Sequence, residues 1–184
     1  DLSKSSVWHR LSVAQHHGLP TRLLDWTFSP LVGLHFATAN LDQVNNDGAV
    51  WVVDIDKMYK KLPNKFTETL DTANIFTTKM LANHIGDLKD FDNSFPREEK
   101  APVFFEPPSL DDRIVNQFAL FSVFPDATTR LDEWLIDHPN CYKKIILPSG
   151  IKMEIRDKLD NSNITERVLF PGLDGLADWL TRVG

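Results

Sequence analysis

Apolar positions in this chain recur with helical spacing in some stretches and with strand spacing in others. From Ser3 to His17, Val7, Leu11 and Ala14 fall at i, i+4 and i+7 with Trp8 beside them, which predicts an amphipathic helix capped by Ser3 or Ser5. Gly18 can take the left-handed position that closes such a helix, and Pro20 stops it from continuing. Thr21 to Trp26 is short and apolar at Leu23 and Leu24, so it reads as a buried strand with Arg22 and Asp25 near its ends. Ser29-Pro30 then starts a helix with Leu31, Leu34, His35 and Thr38 on one face.

Asn45 to Gly48 forms a turn before Ala49 to Ile55, whose β-branched and aromatic run predicts a central strand. The chain is less regular from Asp56 to Pro102, with a helix expected over Ala73 to Asp87 and a mobile charged loop over Asp90 to Ala101. Strands are expected at Val103 to Glu106, Phe118 to Phe124 and Tyr142 to Leu147. Helices are expected at Asp126 to Ile136, from a Ser149 cap through Leu159, and at the end, where Leu173, Leu176, Ala177 and Leu180 share a face packed on the rest of the chain. Strands interleave irregularly with helices, and there is neither an internal repeat nor a Gly-rich βα turn. This favours an α+β fold with a mixed or antiparallel central sheet flanked by helices, rather than a doubly wound sheet.

Composition narrows the function class. At 184 residues and 42% hydrophobic, the chain is long enough for one compact domain, taken as residues 1–184. It has no long uninterrupted apolar run, and its start lacks the layout of a secretory signal. Cys141 is the single cysteine, so an internal disulfide and a Cys-rich zinc site are excluded, and a cytoplasmic setting fits. A net charge of -6 argues against an extended nucleic-acid interface but leaves room for a local basic pocket. The absence of an initial Met and a helix under way by Ser5 lead us to expect a missing N-terminal portion.

The densest chemistry lies in Gln15 to Thr27, QHHGLPTRLLDWT, followed by SPLVGLHFATA. Together with GAVWVV, Arg113, Gln117, Phe121 and the terminal LFPGLDGLADWL, these strings resemble the FRG domain. That family takes its name from an aromatic-Arg-Gly motif, and no Arg here precedes Gly. Where its members often carry Gln-x-Gly-x-Phe, this chain has Gln117-Phe-Ala-Leu-Phe121, with Ala119 in place of Gly.

A further analogy of folds is to ADP-ribosyltransferases. Thr21 to Thr27 running into the next helix resembles their second site element, and Gln117 entering a strand resembles their third. The analogy implies NAD as a substrate. Arg22 and Arg113 would grip its pyrophosphate, Trp26 would stack on the nicotinamide, and Thr21, Thr27, His16 and His17 would complete the binding surface. Gln117 would be the acceptor near the reacting ribose, with Asp25 or Glu106 supplying the negative charge that Gln lacks. The alternative is a non-catalytic module that binds a nucleotide, a phosphorylated small molecule or a protein. Structural roles compete at each position: Arg22 and Asp25 can pair with each other, His16 and His17 can simply end a helix, and the tryptophans can be core. No metal is expected, because adjacent histidines point to different faces and no HExxH spacing occurs.

Overall fold

The computed structural model describes residues 5–70, 75–96, 100–109 and 111–184. In chain order the elements begin with α1 (Val7–His16), β1 (Leu23–Thr27), α2 (Pro30–Thr38), β2 (Gly48–Val53), α3 (Ile55–Tyr59) and α4 (Asn64–Thr67). They continue with β3 (Phe76–Thr77), α5 (Thr78–His84), α6 (Leu88–Asn93), β4 (Val103–Glu106), α7 (Asp112–Asn116) and β5 (Ala119–Val123). The last third holds α8 (Leu131–Ile136), β6 (Tyr142–Leu147), α9 (Lys152–Asn161), α10 (Glu166–Leu169) and α11 (Leu173–Val183). The fold is α+β, as the alternation of periods predicts.

The chain divides into two compact units, each assembled from separated segments. The first comprises residues 1–26, 53–110 and 120–142. It contains a four-stranded sheet in the order β1-β5-β4-β3, and the sheet is mixed: β3 runs parallel to β4, with Phe76 opposite Phe105, and β4 runs antiparallel to β5, with Phe104 opposite Ser122. Its core is aromatic. Trp8 is fully buried, meets Phe91 and Phe105 edge-on, and donates its indole N–H to the Ile85 carbonyl at 3.1 Å. Phe66, Phe76, Phe91 and Phe95 continue the same edge-to-face packing, which suits the ring quadrupole.

The second unit comprises residues 27–52, 111–119 and 143–184. Its β2 and β6 form a two-stranded sheet, and α2 packs on α9 while α10 packs on α11. Gly48 permits close packing here, because a Cβ at that position would lie 2.9 Å from the Ala37 carbonyl. Gly175 does so more severely: its Cβ would sit 1.9 Å from the Phe170 carbonyl oxygen and 2.7 Å from that of Glu166.

Several expectations need correction. The cap of α1 is Ser6, whose hydroxyl accepts from the His9 amide at 3.2 Å; Ser5 does not cap, and Ser3 lies outside the described residues. The buried face of α1 is Trp8 and Ser12, because Ser12 loses no hydrogen bond on burial: its hydroxyl donates to the Trp8 carbonyl. β1 is an edge strand with Leu24 and Asp25 exposed, and β2 belongs to the smaller sheet, so neither is the buried or central strand expected. The helix expected over Ala73 to Asp87 is α5 alone, with Ala73 and Asn74 outside the described residues. Asp90 to Asn93, expected as loop, belongs to α6, where Asp87 caps the Asp90 amide; 97–99 are outside the described residues. Leu31 is exposed on α2, where the buried residues are Val32, His35 and Thr38. The helix expected from Asp126 begins only at Leu131, since Asp126 is spent on a turn with Thr128. Ser149 opens a 3-10 turn ahead of α9 and makes no cap bond. The terminal apolar stripe points outward: Leu173 is 83% exposed and Leu180 53%, while Gly175 is the buried residue of α11. The close approach at Gly175 fixes which face packs, and it overrides the hydrophobic stripe.

Candidate functional site

The turn from α1 to β1 shows how the dense segment folds. Gly18 adopts φ +78°, the conformation that glycine takes without steric cost. The Leu19 amide bonds back to the Ala14 carbonyl, and the Gly18 amide to that of Gln15, which reverses the chain. Gln15 then bridges the turn: its Oε1 accepts from the Thr21 hydroxyl at 2.6 Å and its Nε2 donates to Asp25 at 2.7 Å. Thr21 also accepts from the Leu23 amide. Asp25 is exposed and held by Gln15, not by Arg22.

Arg22 turns the other way. Both of its Nη atoms donate to Asp92, at 2.9 and 3.2 Å, and Nη2 also donates to the Phe124 carbonyl. The side chain is 14% exposed and its buried Nε finds no acceptor. Such a bidentate pair holds a guanidinium as a carboxylate fork. The Trp26 indole donates to Ser122 at 2.9 Å and packs edge-on to Phe104, so Trp26 joins β1 to the neighbouring strands. Glu106 ends β4 half-buried, with no hydrogen-bond partner among the described residues. His16 lies in the last turn of α1 and meets the ring of His17, the C-cap, at 5.3 Å.

The remaining candidates lie in the second unit. Thr27 donates to the Gln117 carbonyl at 2.7 Å and accepts from the Ser29 amide, ahead of the Ser29 cap on α2. Gln117 spends its amide on the Leu169 carbonyl at 2.9 Å, and neighbouring Asn116 does the same with Val168. The exposed Arg113 guanidinium lies 5.0 Å from the centre of the Phe170 ring. Phe118, next to the Ala119 that departs from Gly, sits at φ +49°, an uncommon conformation for a residue with a side chain.

A buried polar cluster of the second unit was missed in the sequence. Arg156, 1% exposed, hydrogen-bonds Glu166 through Nη2 and His35 through Nη1 at 2.9 Å. Arg182 closes the cluster, reaching both Glu166 oxygens and both Asp160 oxygens at 2.7 to 2.9 Å. An arginine can only donate, so the His35 Nδ1 accepts and the ring is neutral. Burial, reinforced by the Arg156 charge, pulls the His35 pKa from 6.5 to about 4. Burial also opposes the ionisation of Glu166, but its hydrogen bond from Arg182 and the two guanidinium charges outweigh this and hold it below its usual value. The sequence signal was faint: His35 sits in the recognised SPLVGLHFA string, but its partners are more than a hundred residues away. Among the described residues, no group of three or more His, Cys, Asp and Glu side chains is placed to hold a metal.

The segment that carries α1, the Gly18 turn, β1, Arg22 and His35 is similar to a known family. Residues 2–46 match the family model of the FRG domain. The resemblance read from QHHGLPTRLLDWT and SPLVGLHFA is therefore borne out over about a quarter of the chain, while Arg113 to Phe121 and the terminal LFPGLDGLADWL lie beyond the matched stretch. Neither a curated protein nor a solved structure matches the chain. Within the FRG stretch, most of the expected site residues are already bonded within the fold: Thr21 and Asp25 to Gln15, Arg22 to Asp92, Thr27 to the Gln117 carbonyl. No helix among the described residues is long and apolar enough to cross a membrane.

Proposed function

We propose that this FRG-containing chain is a binding module for a nucleotide or another phosphorylated small molecule, and that it does not turn its ligand over. One observation carries the reading. Residues 5–24 hold His9, Arg10, His16, His17 and Arg22 and not one carboxylate, in a chain whose net charge is -6. With histidine neutral and Arg22 paired to Asp92, the positive charge of this stretch is that of Arg10, which has no carboxylate partner among the described residues and favours an anion nearby. Transfer chemistry is disfavoured because the groups it would use are already engaged: the Arg22 fork on Asp92, the Gln117 amide on Leu169 and Asp25 on Gln15. A pyrophosphate clamp built on Arg22 would have to displace Asp92 first.

The second reading is NAD cleavage or ADP-ribosyl transfer, with NAD as substrate, and Glu106 is what favours it. A half-buried carboxylate without a hydrogen-bond partner among the described residues is available for acid-base work or for stabilising a positively charged ribose. Calorimetric titration with ADP and NAD, run beside a nicotinamide-release assay at high protein concentration, separates the two. Saturable binding without nicotinamide supports the module. Nicotinamide release that is lost in Glu106→Gln establishes the enzyme instead, and neither binding nor release removes both.

A further inference from the structure

The helix α11 turns its apolar side to water and its polar side to the fold. Gly175 lies against the Phe170 and Glu166 carbonyls, and Arg182 is held by both Glu166 oxygens and both Asp160 oxygens at 2.7 to 2.9 Å. These contacts fix the helix about its own axis, so it cannot roll to bury its leucines. Leu173, Leu176, Leu180 and Val183 are left 83%, 40%, 53% and 49% exposed. They fall at i, i+3, i+7 and i+10, the alternation of three and four that packs one helix against another. We propose that this stripe is the interface with a second copy of the chain, the two α11 helices lying side by side and parallel about a two-fold axis.

Charge selects both the partner and the direction. At about 100° per residue, Asp174 and Asp178 fall on one flank of the stripe, beyond the small Ala177 and Thr181. The other flank is Trp179, and the Arg167 guanidinium of α10 lies 4.5 Å from the centre of its ring. Asp174, Asp178 and Arg167 are all exposed, and none of them takes part in a salt bridge among the described residues. In an antiparallel pair like flanks meet, and acids would face acids. In a parallel pair the flank of Arg167 meets the flank of Asp174 and Asp178, twice by symmetry.

The surface is thus self-complementary in apolar spacing and in charge, as an interface between identical copies must be. A different partner would have to supply both features. An eleven-residue helix is about 16 Å long, too short to fill the roughly 800 Å² per partner of a standard interface, so the dimer forms only at high chain concentration.

Sedimentation equilibrium of the chain from micromolar to near-millimolar concentration tests this, and a reversible monomer–dimer equilibrium is expected. Leu180→Ser should weaken it by about tenfold or more, because each copy loses a leucine from the stripe, while the thermal melt of the monomer stays where it was, since that side chain is exposed. Asp178→Arg and Arg167→Asp should each weaken it about fivefold, and the two together should return it to within about threefold of the wild type, because the reversed charges again oppose each other. A chain that stays monomeric over this range overturns the proposal and leaves the stripe to a helix of another protein. A dimer that Leu180→Ser does not weaken lies on another surface and overturns it as well. A dimer that depends on Leu180 but is not restored by the combined charge reversal overturns the parallel pairing.

Discussion

Acidification should destabilise the second unit through His35 at a higher pH than through Glu166. In the folded chain His35 is 1% exposed and accepts a hydrogen bond from Arg156, so a proton on its ring would abolish that bond and place two cations side by side. Its folded pKa is about 4, against 6.5 when unfolded. Between these values the unfolded chain binds the proton and the folded chain does not, so stability is complete above about pH 6.5 and falls as pH drops toward 4. At about 1.4 kcal/mol per pH unit the full loss is about 3 kcal/mol, of which about 2.5 is reached by pH 4.5. Glu166 acts in a different window. Its folded pKa is depressed, so its contribution is present above its unfolded value and is lost only as pH falls below that. Urea unfolding at pH 7.5, 6.0, 5.0 and 4.5 measures the slope, with His35→Gln as the reference because its side-chain oxygen can accept from Arg156 without titrating. The wild type should lose about 2.5 kcal/mol more than the variant over this range. Parallel pH profiles for the two proteins would refute the reasoning, since they would mean that the ring titrates alike in both states.

Gly175→Ala should cost more than about 3 kcal/mol despite alanine's better helix propensity, because the new Cβ would fall 1.9 Å from a backbone carbonyl of the preceding turn. Thermal melts decide this, and an unchanged melting temperature would mean that α11 is free to shift. Arg22→Met should destabilise by about 1–2 kcal/mol, since it strands Asp92 and the Phe124 carbonyl; the coupling should vanish in a double-mutant cycle with Asp92→Asn if the fork is an accident of packing. Lys152 is 3% exposed and has one acceptor among the described residues, the Gln43 carbonyl at 2.9 Å. Lys152→Met keeps its length and removes the cost of burying a charge, so denaturant unfolding should find it neutral or more stable by up to about 1 kcal/mol. A loss above about 2 kcal/mol would instead assign the ammonium a necessary structural role.

Local signals were legible in the sequence. The Gly18-Leu-Pro20 turn, the Ser29-Pro30 start of α2 and the Tyr142–Leu147 strand all depend on backbone chemistry within a few residues, and all three are found where their residue types place them. What the sequence obscured depends on partners far along the chain. Hydropathy marks Leu173, Leu176 and Leu180 as the inner face of α11, yet Gly175 decides which face approaches α10. In the same way, Arg22 is three residues from Asp25 but pairs with Asp92, seventy residues on, because the Gln15 bridge already holds Asp25.

The same logic bears on where chemistry resides. A short string crowded with His, Arg, Asp, Thr and Trp invites the reading of an active site, but such residues can equally satisfy one another. In QHHGLPTRLLDWT most of them do: Gln15 joins Thr21 to Asp25, Arg22 anchors on Asp92, Trp26 on Ser122 and Thr27 on Gln117. A polar group that is satisfied within the fold gains little from a ligand, because binding must first break a bond of similar strength. Groups left without partners have more to gain. Among the described residues the half-buried Glu106 at the end of β4 is of that kind, and it lies outside the FRG stretch. The dense segment is thus better understood as the frame that fixes α1 against the sheet, and ligand chemistry is to be sought where a buried or half-buried donor or acceptor still lacks its counterpart.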